Sequence, residues 1–217
     1  MTRIAAAFVL LIAQPAWHGQ AGAANLLKDI EIDHSNDRRM RGAEVVMDIC
    51  MSCHDLRYLK YRNLVDLGFS ETALLQKHIN QDLGSSLASA MSSADREAMF
   101  GRLPPDLSLI VSAREGGARY VYSLFTSYQH QESGAAINVM RPDIKMPDIF
   151  GYASITDEQT KTMTDERIHD VAAFLHWVSD PHESERRELG YYVIGYLAVL
   201  TLLFYLVKRR VWYRLRG

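Results

Sequence analysis

The sequence predicts an all-α fold: one helical domain with long loops, followed by a single C-terminal membrane-spanning helix. Three observations carry this expectation. Apolar residues recur at helical spacing through most of residues 24–188. The exceptions are tracts rich in Pro, Gly and Asn, above all 129–154, which read as loops. The run from Leu189 to Val207 holds 19 residues with no charge. As a helix it is about 28 Å long, close to the roughly 30 Å hydrocarbon core of a bilayer.

The first element is an address. Met1-Thr2-Arg3 precedes an apolar stretch from Ile4 to Ala13, and small residues follow at Ala21-Gly22-Ala23-Ala24. A basic start, a short apolar segment and an A-x-A site mark residues 1–23 as a secretory signal peptide. Residues 24–188 are then the exported domain, large enough for its own core.

Within it, Arg41 to Cys50 reads as a helix with Val45, Val46 and Ile49 on one face. Ser70 is placed to cap a second helix carrying Leu74, Leu75, Ile79 and Leu83. Gly84 to Ala94 is rich in small residues and reads as loop and short helix. Pro104-Pro105 opens a segment with a short helix through Ile110 and Val111, broken by Gly116-Gly117. "ARYVYSLFTSYQ" resumes a helix, with Tyr120, Leu124 and Phe125 free to pack. The last domain helix lies in "TDERIHDVAAFLHWVSDP", with Thr164 as N-cap and Ile168, Val171, Ala172, Leu175 and Val178 as its apolar stripe.

The anchor has aromatic rims, Tyr191 and Tyr192 at its start and Trp212 and Tyr213 just past its end. Five Lys/Arg lie in residues 208–217, so this tail is expected in the cytoplasm and the domain outside it. The formal net charge of −2 gives no sign of a nucleic-acid partner.

The chemistry concentrates in Cys50-Met51-Ser52-Cys53-His54, which holds both cysteines of the 217-residue chain. A thioredoxin-like disulfide usually sits beside a strand–helix unit, and the chain shows no strand-rich pattern. A structural zinc site usually needs two Cys or His pairs, and no second pair has the spacing. Covalent haem attachment fits best. Two thiols on one helical turn reach the two vinyl groups of a porphyrin, and the next residue offers an imidazole to the iron. An electron-transfer haem is normally held from both sides, and thioether sulfur is a common second ligand. Met91, Met99, Met140, Met146 and Met163 follow the motif. Met140 and Met146 share the long irregular loop. Met146 precedes Pro147, which has no N–H to leave unsatisfied against an apolar wall, whereas Met140 precedes Arg141.

Four segments resemble the cytochrome c1 family, the haem subunits of quinol–cytochrome c reductase complexes of the bacterial type. They are "RGAEVVMDICMSCHDLRYLKYRNL", "LPPDLSLIVSAREGGARYVYSLFTSY", "DVAAFLHWVSDPHESERRELG" and the terminal membrane helix with its basic tail. The second is the most specific, since a generic c-type cytochrome would not share it. The resemblance implies a class I c-type cytochrome-like domain with one covalent haem c. Cys50 and Cys53 would form thioethers, with His54 and Met146 as axial iron ligands. Pro105 would pack on the His54 side, with Arg114 and Tyr120 near a propionate. At the distal ligand the chain reads Met146-Pro147-Asp148-Ile149, a shorter form than the Met-Ala-Pro-Pro of many members.

The implied function is one-electron transfer in the ubiquinol–cytochrome c reductase of a respiratory chain. Electrons would come from the Rieske iron–sulfur protein and leave to a c-type cytochrome, with cytochrome b as a further partner and no substrate bond chemistry on this chain. The implied location is a bacterial inner membrane, single-pass, haem domain periplasmic and C-terminus cytoplasmic. Two alternatives keep the haem: a free-standing anchored cytochrome c donating to a terminal oxidase, and a haem sensor or peroxidase-like protein with an open sixth site.

Overall fold

The computed structural model describes residues 26–77, 82–132 and 134–215. The expected signal peptide, together with His78 and Ile79 of the second helix, lies outside the described residues. Seven α-helices occur among them: α1 (Asn36–Asp48), α2 (Tyr61–Leu67), α3 (Glu71–Lys77), α4 (Ser93–Phe100), α5 (Ala118–Phe125), α6 (Glu158–Ser179) and α7 (Glu183–Leu215). Two small antiparallel pairs join them, β1 (Leu56–Lys60) with β2 (Ser86–Leu87) and β3 (Tyr128–His130) with β4 (Ala136–Asn138).

The core forms where α1 crosses α6. Gly42, Ala43, Val46 and Met47 are the buried residues of α1, and the stripe Ile168, Val171, Ala172, Leu175 and Val178 of α6 is buried as expected. Gly42 makes the approach possible, because a Cβ there would stand 2.0 Å from the Asp170 carbonyl oxygen. Beside this contact Asp170 is buried. It accepts from Arg38 Nη1 at 2.8 Å and from Arg41 Nε at 2.7 Å, which ties the two helices by charge as well as by packing.

Several local expectations are corrected. Helix α1 starts at Asn36, five residues before Arg41, and it stops at Asp48. The N-cap of α6 is Asp157, not Thr164, with its side chain accepting from Thr160 N–H at 2.7 Å. Its first turns are polar, so apolar periodicity is silent there. Ser70 does hold the start of α3, its Oγ accepting from Ala73 N–H at 3.4 Å. Leu83, however, lies in a turn beyond that helix, where Asp82 Oδ1 accepts from Gly84 N–H at 2.7 Å. Residues 107–115 form successive turns rather than a helix through Ile110. The tract 129–154 is partly ordered as the β3–β4 hairpin, turned at Gly134 with φ 81°.

Helix α7 is a single 33-residue element whose apolar window is not buried anywhere in the chain. It begins at Glu183, so the charged collar 183–188 and the apolar run are one continuous helix.

Candidate haem site

Helix α1 ends directly at the attachment motif. Ile49 N–H still bonds Val45 O at 2.9 Å, and the chain then tightens into a 3₁₀ turn, Cys50–Ser52. The Cys50 carbonyl accepts from both Cys53 N–H (3.1 Å) and His54 N–H (2.8 Å). This tight turn brings Cys50, Cys53 and His54 onto the wall of one cavity. Both cysteines are free thiols, Cys50 buried and Cys53 half-buried. Burial pushes the Cys50 thiol up to about 12, so it stays protonated.

The His54 ring is oriented by the backbone. Its Nδ1 lies 2.7 Å from the Pro105 carbonyl oxygen. A carbonyl only accepts, so Nδ1 carries the proton and Nε2 keeps its lone pair. Burial, reinforced by the nearby Arg96 charge, lowers the imidazole's proton affinity, which also favours the neutral, metal-binding form.

The other walls come from distant segments. Ile49, Leu107, Val121, Leu124, Phe125 and Leu175 give the cavity an apolar lining suited to a flat hydrophobic ring. Phe125 is braced edge-on by Phe150, with ring centroids 5.0 Å apart. Every residue to which the resemblance gives a haem role lines this one cavity: Cys50, Cys53, His54, Pro105, Arg114, Tyr120 and Met146. Among the described methionines only Met146 lines it. Met140 is buried elsewhere, and Met99 and Met163 are exposed. The Met146 backbone is held by Tyr128, whose hydroxyl donates to its carbonyl at 2.7 Å.

One part of the rim is cationic, with Arg102, Arg114, Arg141 and Lys145. Arg114 lies 5.8 Å from the centre of the Tyr120 ring, and its Nε is buried with no hydrogen-bond partner. An orphaned guanidinium donor on the wall of an apolar cavity fits a carboxylate, as a haem propionate would provide. Arg141 joins it, donating from Nη1 to the Tyr120 hydroxyl at 3.3 Å and pairing with Asp143 at 3.0 Å. The residues present therefore fit a haem: two thiols, an imidazole with a free nitrogen, a thioether, apolar walls and a cationic rim. Sequence reasoning did not find Arg102 and Arg141, because exposed-looking arginines in loops carry no spacing signal.

Comparison with known proteins agrees. The Cytochrome C1 family model matches residues 30–86 and 86–215. Cytochrome c1 of Rhodospirillum rubrum is 28% identical, covering 96% of this chain and 95% of that one. The mitochondrial cytochrome b-c1 complex catalytic subunit of Candida albicans is 31% identical, over 83% of this chain and 72% of its own. A protein named ammonia monooxygenase gamma subunit, from Nitrosomonas europaea, is 30% identical over 79% of this chain and 81% of its own. The chain belongs to the cytochrome C1 family, whose members carry a covalently bound haem c.

Proposed function

We propose that this chain is the electron-transfer haem subunit of a quinol–cytochrome c oxidoreductase. The single observation that carries the reading is the convergence of the two motif thiols, His54 and Met146 on one apolar cavity with a cationic rim. Membership of the cytochrome C1 family supports it independently. Haem c bound there supplies a one-electron ferric/ferrous couple.

The chain's own residues do the rest. Cys50 and Cys53 would hold the macrocycle through thioethers. His54, its ring held by the Pro105 carbonyl, would offer Nε2 to the iron. Met146 would offer its sulfur as a further iron ligand, with Tyr128 and Pro147 steadying its loop. Arg114, with Tyr120 and Arg141 close by, would bind a propionate. The apolar walls would limit water around a bound haem, which favours the less charged ferrous state and a higher potential.

The electron donor is the Rieske iron–sulfur protein, the acceptor is a c-type cytochrome, and α7 packs in the membrane beside cytochrome b. A protein named as part of a cytochrome b-c1 complex is among the relatives, which supports this assembly. The haem domain faces the periplasm of a bacterial inner membrane and the tail after Val207 faces the cytoplasm. The length of α7 supports a single span, and the basic tail supports that orientation.

Mild detergent extraction of the chain tests the proposal. The expected isolate contains cytochrome b and a Rieske protein, with a c-type spectrum surviving denaturation. Isolation without either partner would indicate the free-standing anchored cytochrome. Rapid carbon monoxide binding to the ferrous protein would indicate an open sixth site.

A further inference from the structure

Behind the cavity wall lies a buried ion pair that the functional reading does not use. Arg96 is the one buried residue of α4 and is only 2% exposed. A guanidinium is rarely buried so deeply unless its charge and donors are matched. Its Nη1 donates to the Cys53 carbonyl at 2.9 Å, and its Nη2 donates to Asp55 Oδ2 at 3.1 Å. Asp55 is buried as well, and its Oδ1 accepts from Ser89 N–H at 2.8 Å. The Asp55 backbone carbonyl then accepts from Leu107 N–H at 2.8 Å. One more bond extends the seam, from Tyr58 N–H to Ser108 Oγ at 3.1 Å.

The Arg96 bonds tie Cys53 and Asp55, on either side of His54 in sequence, to α4, while the Asp55 carbonyl and Tyr58 N–H fasten the same stretch to Leu107 and Ser108 of the segment 104–108. That segment includes Pro105, whose carbonyl holds His54 Nδ1–H at 2.7 Å. The imidazole's partner is a backbone atom, so its place depends on how well the two segments are latched. We infer that the Arg96–Asp55 pair is a positioning device for His54: it sets the Nδ1–H bond to Pro105, and through it the haem potential. The inference rests on the proposed role of His54 as an axial ligand.

The sign follows from the hydrogen bond. A ligand imidazole whose second nitrogen donates to a carbonyl is the more basic ligand. Basicity favours ferric iron, so loosening the bond raises the potential. Losing a nearby positive charge acts the other way. Arg96→Lys therefore separates the two. It keeps the charge, but a compact ammonium does not reproduce the planar fork that serves a carbonyl and a carboxylate together. Ser108→Ala is a second, neutral change that loosens the same seam without touching the pair.

The test is a redox titration of the haem in the intact detergent-solubilised complex. Arg96→Lys is expected to increase the reduced-to-oxidised ratio at a fixed ambient potential at least threefold, about 28 mV at 59 mV per tenfold. Ser108→Ala should move it in the same direction by less. A potential unchanged or lowered in Arg96→Lys, with the ligand spectrum intact, overturns the inference, since a purely electrostatic or structural role predicts that result. If Arg96→Lys does not retain haem, Ser108→Ala decides alone, and an unshifted potential there overturns it. A wild-type complex lacking covalent haem or histidine ligation would refute the functional reading itself, a failure distinct from an unshifted variant.

Discussion

Gly42→Ala tests the helix crossing that carries the attachment motif. The new methyl carbon would stand 2.0 Å from the Asp170 carbonyl oxygen, 2.6 Å from its carbonyl carbon and 2.8 Å from Phe174 Cβ. Ordinary contact begins at 3.4 Å, so α1 and α6 would have to separate by about 1.4 Å, judged from the shortest of these distances. Two of the three atoms are backbone in mid-helix, so neither can swing aside. Overpacking of this kind costs about 1–3 kcal/mol, occasionally more. Alanine's better helix propensity returns about 1 kcal/mol. Because backbone must yield, the cost lies at or above the upper end, and a net loss of about 2 kcal/mol is expected. For a chain of this size that lowers Tm by roughly 4–8 °C. Thermal melts of the detergent-solubilised chain, followed by far-ultraviolet dichroism, measure it. Gly190→Ala is the control, since nothing lies within 4 Å of its added carbon. A Gly42→Ala variant melting at or above wild type would refute the close crossing.

Other outcomes follow from the site and the anchor. Met146→Leu keeps size and apolarity but deletes the sulfur. It should lower the potential by a large part of the ~0.8 V axial-ligand range and admit carbon monoxide, while Met140→Leu should do neither, as redox titration and gas binding will show. Asp55 predicts an acid limit to stability. Burial works against its charge, but the Ser89 N–H and the Arg96 guanidinium outweigh this and hold its carboxyl below the usual value. Its contribution is therefore complete above about pH 4 and lost as pH falls through its depressed folded value, and Asp55→Asn should flatten that part of a stability-versus-pH curve. Truncation after Glu188 should release a soluble domain with a c-type spectrum, and a cytoplasm-only reporter fused after Gly217 should be active.

The sequence exposed those features in which one residue type repeats at a fixed spacing. The stripe Ile168 to Val178, the attachment motif and the 19-residue apolar run each impose a period or a pattern that chance rarely supplies. The short strands were invisible for the opposite reason. Strand β1 has only five residues, and the burial of Leu56 and Leu59 falls out of step with alternation because the pairing is bulged. The first turns of α6 were missed because a polar helix start has a cap signal but no apolar face. Arg96 and Asp55 were missed because a buried charged pair is defined by tertiary partners 41 residues apart, which no local pattern records. Met146 and Met140 could be separated in the sequence only by their neighbours and by resemblance. In the structure the difference is plain, since one lines the cavity and the other is buried away from it.

The anchor also bears on electron transfer. Helix α7 is about 50 Å long at ~1.5 Å per residue, well over the hydrocarbon thickness. If the apolar run 189–207 fills the bilayer, the collar 183–188 rises about 9 Å above it before the chain turns back into α6. That collar is stiffened by ion pairs, Arg186 with Asp180 at the end of α6 and Arg187 with Glu183 one turn earlier. Each is a surface pair worth little in stability. Their effect is geometric. The link from α6 to α7 is only Asp180, Pro181 and His182, and the proline restricts it further. Leu175 on α6, five residues before that link, is itself part of the cavity wall. The haem site is thus joined to the membrane helix by a short, ion-paired elbow rather than a free linker. A three-residue link with a proline restricts the domain more than a long flexible tether would, which suits a relay that stays close to the membrane.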